Sequence, residues 1–226
     1  AGACSFSVFR RAVEAGGVVR AINVKGQASF TRTQIEDLTA RAVRYGAKGM
    51  AWIALHEDGE IYSVLTKYFT KEEMASLLRS LDAETGDFIL FCADKLALVR
   101  RVLGALRLDI GGMLNLRKGD HRILFVTDFP QFEYSEEEKR FVATHHPFTM
   151  PYPEDLPYLL SDPGRVRAQA YDVVLDGVEL GSGSMRIHQR DVQQRMFEAL
   201  GFSPEEIEDR FGFLVRAFSF GTPPHG

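Results

Sequence analysis

The chain has 226 residues, enough for one large or two small domains and for burying roughly 70% of its extended surface. With 45% hydrophobic and 26% charged residues, and two distant cysteines, Cys4 and Cys92, it reads as an ordinary globular protein of a reducing compartment, which excludes a disulfide framework. No apolar run reaches membrane-spanning length and no signal peptide opens the chain, so cytoplasm is expected; the net charge of −4 excludes a nucleic-acid binder that works by overall basicity.

Phe6 to Ala15 reads as a short helix ended by Gly16-Gly17, and Val18 to Val24 as a β-branched strand. Thr33-Gln34-Ile35-Glu36 is a capping box, which opens a helix carrying Ile35, Leu38, Ala42 and Val43 to about Tyr45 and Gly46. Met50 to Leu55 and Ile61 to Leu65 read as strands around the hairpin signal Asp58-Gly59. Thr70-Lys71-Glu72-Glu73 is a second capping box, ahead of the stripe Met74, Leu77, Leu78 and Leu81. Phe88 to Cys92 is a buried-type strand, and Asp94 is the expected cap of a helix with Leu96, Val99, Leu103 and Leu106. Strands interleaved with helices make this half a compact α/β-type unit with Trp52 and Phe88 in its core and no catalytic constellation. Arg100-Arg101 with Arg107, or Lys118 with Arg122, could touch phosphates, although such charges also form plain solvated faces.

Between residues 110 and 121 the texture changes, with Gly111-Gly112 and Arg117-Lys118-Gly119-Asp120, and the domain boundary is placed there. Arg122 to Thr127 is β-rich, and Phe141 to Thr144 follows the acidic turn Glu136-Glu137-Glu138. His145-His146-Pro147-Phe148 comes next. Pro147 biases His146 towards extended geometry, so one histidine can face a pocket while the other supports it. No third ligand at metal spacing accompanies the pair, which therefore does not read as a zinc site.

Asp176-Gly177, between two apolar runs, marks a two-residue hairpin with strands 171–175 and 178–180. That loop pairs Leu175 with Val178, Val174 with Glu179, Val173 with Leu180 and Asp172 with Gly181, so Asp172 and Glu179 share one face as diagonal neighbours. Two carboxylates so placed are either solvated acids on a wet face or partners of a divalent cation such as Mg²⁺. Gly181 and Gly183 leave room for a ligand near the backbone, and Arg186 is a planar donor suited to a carboxylate. Strict alternation sends Arg186 to the opposite face, so a bulge or bend is expected in Gly181-Ser182-Gly183. Val192, Met196, Ala199 and Leu200 then form a helix closed by Gly201. Ser203-Pro204-Glu205-Glu206 caps another that carries Ile207, Phe211, Leu214, Val215 and Phe218.

Three separated segments, H-H-P-F-T-M-P at 145–151, A-Y-D-V-V-L-D-G-V-E-L-G-S-G-S-M-R-I-H at 170–188 and G-T-P-P-H-G at 221–226, resemble in order the catalytic domain of bacterial-type aspartyl-tRNA synthetase, a class II aminoacyl-tRNA synthetase. Residues 15–113 resemble the insertion module that family shares with a tRNA-dependent amidotransferase subunit, the GAD domain. The resemblance implies an α+β chain: a connector at 1–14, an α/β-type GAD module at 15–113, and part of a class II antiparallel-sheet catalytic domain at 114–226.

It further implies L-aspartate, ATP and tRNA-Asp as substrates, with tRNA-Asn a further acceptor, and Mg²⁺ as cofactor. By the same resemblance, His145 and Arg186 bind aspartate with His146 in support, Asp172 and Glu179 hold Mg²⁺, and Glu179 reaches ATP through it. Ser182 departs from the family, which more often has glycine there. The arginine-bearing strands of motifs 2 and 3 have no counterpart here. The expectation is therefore an inactive piece of a homodimeric enzyme, monomeric by itself, and the alternative is a non-catalytic module that binds tRNA or a partner.

Overall fold

The computed structural model describes residues 4–226, which fall into two compact units divided between residues 118 and 119. The first three residues of the expected connector lie outside the described residues.

The first unit is built on β4 (Phe88–Asp94), whose first five residues are buried. Alternation sends Phe88, Leu90 and Cys92 to one face and Ile89 and Phe91 to the other, so the strand needs helices on both sides. On the first face lie α2 (Arg32–Arg44) and α4 (Leu96–Met113), which contribute Leu38, Ala42, Val99, Val102, Leu106 and Ile110. On the second lie α1 (Ser7–Glu14) and α3 (Lys71–Ser80), which contribute Phe9 and Met74. With β1 (Val18–Val24), β2 (Ala51–Leu55) and β3 (Ile61–Tyr62) the sheet has the order β1-β4-β2-β3, and every pairing is antiparallel. Trp52 stacks on the buried Phe88, with ring centroids 5.7 Å apart.

Four local expectations are corrected. The cap of α2 is Thr31, not Thr33: its hydroxyl accepts from Gln34 N at 3.3 Å, and Gln34 Oε1 accepts from Thr31 N at 2.8 Å. Both threonines fit the box pattern, but only Thr31 places apolar residues at the staple positions, Phe30 before the cap and Ile35 inside the first turn, both against the same core. Val43 is exposed rather than part of the stripe. Asp94 ends β4, and Lys95 is the N-cap of α4, without a side-chain bond. The strand expected to reach Leu65 stops at Tyr62, because the Ser63 hydroxyl accepts from Leu65 N at 3.0 Å and starts a 3₁₀ turn over Val64–Tyr68. Leu65 is fully buried all the same.

The second unit contains a three-stranded sheet, β5 (Ile123–Val126), β8 (Ala170–Leu175) and β9 (Val178–Ser184), in the order β5-β8-β9. A separate hairpin pairs β6 (Phe132–Ser135) with β7 (Arg140–Ala143). The four-residue β6 was not anticipated. The packed part of the unit gathers Phe132, Met150, Leu159, Val166 and Ile187 around α5 (Arg190–Ala199), whose Val192 and Met196 face inward. Helix α6 (Pro204–Phe218) opens on the expected Ser203–Glu206 box and lays Phe211 against Phe148, Phe197 and Phe202. By contrast, the large apolar side chains of β5 and the outer part of β9, Phe125, Val178 and Leu180 among them, stand exposed.

Candidate functional site

The site is organised by the β8-β9 hairpin. Asp176 and Gly177 have φ of 53° and 85°, both in the left-handed region a type I′ turn demands. The Asp176 carboxylate also holds the hairpin to β5: Oδ1 accepts from Arg122 N at 2.8 Å and Oδ2 meets His121 Nδ1 at 2.7 Å. From the turn outward Leu175 pairs with Val178 and Val174 with Glu179, as the loop length dictates. The register then shifts. Val173 lies opposite Gly181 and Asp172 opposite Ser182, so the expected partners Leu180 and Gly181 are each displaced by one.

Leu180 is the extra residue of this bulge, one position before the glycine-serine run in which it was expected. Its effect is to reverse the alternation of everything that follows. Asp172 and Val174 point to one face, their partners Ser182 and Glu179 share it, and alternation carries Ser184 and Arg186 to that face too. The bulge thus places the two carboxylates on one face of the sheet and, by alternation continued past the end of β9, turns the guanidinium to the same side. Gly183 serves a different purpose from the one expected. A Cβ there would lie 2.6 Å from Tyr171 Oη, so the glycine admits the ring across the strand rather than a ligand, whereas the space around Gly181 is open.

Arg186 is held by its backbone on both sides: it bridges Thr149, and its N–H donates to the carbonyl of His225 at 2.8 Å. Its guanidinium meets His146. Nη1 lies 3.1 Å from Nδ1 and also contacts Nε2 of that ring. Phe148 N–H donates to the same Nδ1 at 3.1 Å, and the Thr149 hydroxyl lies 3.4 Å from both ring nitrogens. Burial first, then the positive charge of Arg186 and of His145 if protonated, holds the His146 pKa below its ordinary value. The neutral ring offers a single lone pair to several converging donors. Donors exceed acceptors at this point, which favours an anionic oxygen.

His145 points elsewhere: it is exposed, with its ring 5.0 Å from that of Phe129. The structure therefore brings His146, and not His145, to Arg186. Among the described residues Arg186 meets no carboxylate, and neither Asp172 nor Glu179 has a hydrogen-bond or ion-pair partner, whereas Arg167 is held by both Asp155 and Glu154. No cluster of three His, Cys, Asp or Glu suited to a metal occurs among the described residues.

Two buried glutamines that the sequence reading passed over fix the histidine loop from below. Gln193 Nε2 donates to Pro147 O at 2.9 Å and Gln131 Nε2 to Thr149 O at 3.2 Å. Phe148, between those carbonyls, packs on Phe197 and Phe211. A glutamine set between Val192 and Met196 on a buried stripe was the available signal for Gln193. For Gln131 the sequence carried none.

Among known proteins, the family of tRNA synthetases class II (D, K and N) matches residues 13–226. An aspartate–tRNA(Asp/Asn) ligase of Symbiobacterium thermophilum is 53% identical over 233 aligned positions, covering 100% of this chain and 39% of that protein. A protein of the same name from Anoxybacillus flavithermus is 52% identical, over 99% of this chain and 38% of its own length. An aspartate–tRNA ligase of Ruminiclostridium cellulolyticum is also 52% identical, over 99% and 38%. The chain thus spans less than two-fifths of the length of these curated relatives.

Proposed function

Because the chain belongs to the class II tRNA synthetases (D, K and N), we propose that it is part of an aspartate–tRNA ligase. That enzyme activates L-aspartate with ATP and transfers it to tRNA-Asp and, after the names of most of the relatives, to tRNA-Asn. The observation that carries the proposal for this site is the set of uncompensated charges which the Leu180 bulge gathers on one sheet face.

In this reading Arg186 receives the side-chain carboxylate of aspartate. Its fork can donate two parallel hydrogen bonds, and one carboxylate oxygen supplies the acceptor missing beside His146. His146 is the inner histidine of the pocket and His145 lies at its rim. The α-carboxylate oxygen of aspartate attacks the α-phosphorus of ATP, the bond to the β-phosphate oxygen breaks, and pyrophosphate leaves. A ribose hydroxyl of the terminal tRNA adenosine then takes the acyl group and AMP departs. The chain's own contribution is to hold the amino acid and to balance charge.

Asp172 and Glu179 fit Mg²⁺ by chemistry: they are oxygen donors on a shared face, without a cationic partner among the described residues, and Mg²⁺ needs only one or two carboxylates beside phosphates and water. When bound there it would neutralise phosphate charge. The expected compartment is the cytoplasm, and no helix among the described residues is long and apolar enough to cross a membrane.

Arg186→Leu in the full-length enzyme tests the reading. Loss of a charged, two-pronged hydrogen bond costs about 3 kcal/mol or more, so kcat/KM for aspartate in aspartate-dependent pyrophosphate exchange should fall at least ~100-fold. Unchanged aspartate activation rejects the assignment.

A further inference from the structure

The net charge of −4 conceals two opposite halves. Residues 1–118 hold 17 Lys and Arg against 13 Asp and Glu, a net +4, whereas residues 119–226 hold 10 against 18, a net −8. In the first unit α4 carries three arginines, Arg100, Arg101 and Arg107, none of them in an ion pair among the described residues. At about 100° per residue, Val99, Val102, Leu103, Leu106 and Ile110 form the buried arc. One flank of that arc turns to α2, where Arg101 and Leu98 lie beside Gly46 and Tyr45 Oη donates to Asp109 at 2.7 Å. The opposite flank carries Arg100, Gly104, Arg107 and Gly111. It faces the open edge of the sheet, since β1, the edge strand, runs beneath α4. Arg20 on β1 shares the face of Val18, Ile22 and Val24, which packs under α4, and so extends the stripe onto that edge.

Arg20, Arg100 and Arg107 are exposed, and none has an ion-pair partner among the described residues. On the α2 side Arg41 pairs with Asp37 and Asp109, and Lys48 with Asp94, while Arg44 and Arg101 stand without an ion pair among the described residues. Helix α4 and strand β1 together have one acid before the strand ends, Asp109, and it lies on that other flank. The glycines are a second observation. Glycine is the costliest residue after proline in a helix interior, yet a Cβ at Gly104 or Gly111 would meet nothing within 4 Å, so packing inside this unit does not demand them. They leave a low surface between two arginine turns. Arg100 and Arg107 stand about 10 Å apart along the helix, roughly three nucleotide steps of a duplex strand.

We propose that the Arg20–Arg100–Arg107 flank of α4 docks an RNA phosphate backbone, with no reading of base sequence. Under the ligase reading, on which the identity of the partner rests, that RNA is the substrate tRNA. The guanidinium forks supply paired donors to phosphate oxygens, and the glycines admit the backbone between them.

Fluorescence anisotropy of a labelled tRNA-Asp transcript with the 226-residue chain, from about 50 to 200 mM salt, tests this. The triple variant Arg20→Gln, Arg100→Gln, Arg107→Gln should bind at least tenfold more weakly at the lower salt. Its log–log salt slope should be shallower by about 2, at 0.7–0.9 per lost phosphate contact. Gly104→Glu should weaken binding too, and Gly104→Ala should not. Because these side chains are exposed, the unfolding midpoint of each variant should match that of the parent chain. A triple variant with the parent affinity and slope, or a parent chain that binds no tRNA at the lower salt, overturns the proposal. Failure of the ligase reading appears elsewhere, in aspartate activation by Arg186→Leu, and would leave a salt-dependent RNA face standing.

Discussion

Gln193→Leu isolates what holds the histidine loop in place. The side chain is 6% exposed; its Nε2 donates to Pro147 O at 2.9 Å, while its Oε1 is buried without a partner. Leucine keeps most of the volume and removes both ends. Loss of the hydrogen bond, with Pro147 O left unsatisfied, costs about 2–3 kcal/mol, and removing the orphaned Oε1 returns about 1. The net cost is therefore about 1–2 kcal/mol. Gln193→Glu keeps the shape but sets an acceptor against an acceptor and buries a carboxylate, so it should cost more than about 3 kcal/mol at neutral pH. Urea unfolding of the chain, followed by far-UV circular dichroism, is the assay. At a slope of about 2 kcal/mol/M the leucine variant should unfold about 0.5–1 M earlier, with unchanged slope, and the glutamate variant earlier still. A leucine variant that unfolds with the parent chain, or earlier than the glutamate variant, refutes the assignment of Gln193 as the donor that fixes Pro147.

Two further outcomes follow from buried or half-buried charge. Asp87 is 3% exposed and accepts from Gly26 N at 3.0 Å, Glu84 N at 2.9 Å and Asn23 Nδ2 at 2.9 Å, with Lys25 Nζ at 3.2 Å, so Asp87→Ala should cost the first unit about 3–5 kcal/mol, read as a lower unfolding midpoint. Burial raises the Asp87 pKa but those donors outweigh it and leave it lowered; its contribution is therefore complete above the ordinary carboxylate value of 3.8 and lost as pH falls through the folded value, and Asp87→Asn should flatten the acid limb of a stability–pH curve. For His146 the folded pKa is depressed by burial and by Arg186, so its contribution to stability is complete above pH 6.5 and declines as pH falls from 6.5 to the folded value. Arg186→Leu should move the imidazole titration seen by NMR upward, and an unmoved titration counts against the contact.

Most of the first unit was legible because its signals are local. The Thr70 box, the glycine stops at Gly16 and Gly46 and the alternation of β4 each depend on residues within one turn or one strand of each other. Where two local solutions coexisted, at Thr31 and Thr33, the choice fell to burial of Phe30, which the pattern alone does not report. The same holds for β3: Ile61 to Leu65 alternates like a strand, but a hydroxyl at Ser63 captured the Leu65 N–H and turned the chain. Strand β6 is four residues long and has only Phe132 buried, which leaves too short a period to read.

At the site, legibility decays with distance from the Asp176-Gly177 turn. A two-residue loop dictates the first pairs by geometry, and those two pairs are as expected. Beyond them the register depends on what each face must meet, and Leu180 was released to solvent so that Arg186 could turn to the face of Asp172 and Glu179. The need for a bulge followed from the roles proposed for these residues, since Arg186 can act beside Asp172 and Glu179 only from their face. Its position could not, because Tyr171 had to find the space above Gly183, and that contact fixes the phase of the strand from across the sheet. The meeting of Arg186 with His146 lies further still from local pattern: 40 residues separate them, and the bridge between Thr149 and Arg186 and the buried donors Gln131 and Gln193 determine which histidine of the pair turns inward. A neighbouring His-His pair is ambiguous by itself, because an extended chain sends successive side chains to opposite sides. The two glutamine clamps remove that ambiguity, which ties the choice between His145 and His146 to the fold beneath the loop rather than to the motif.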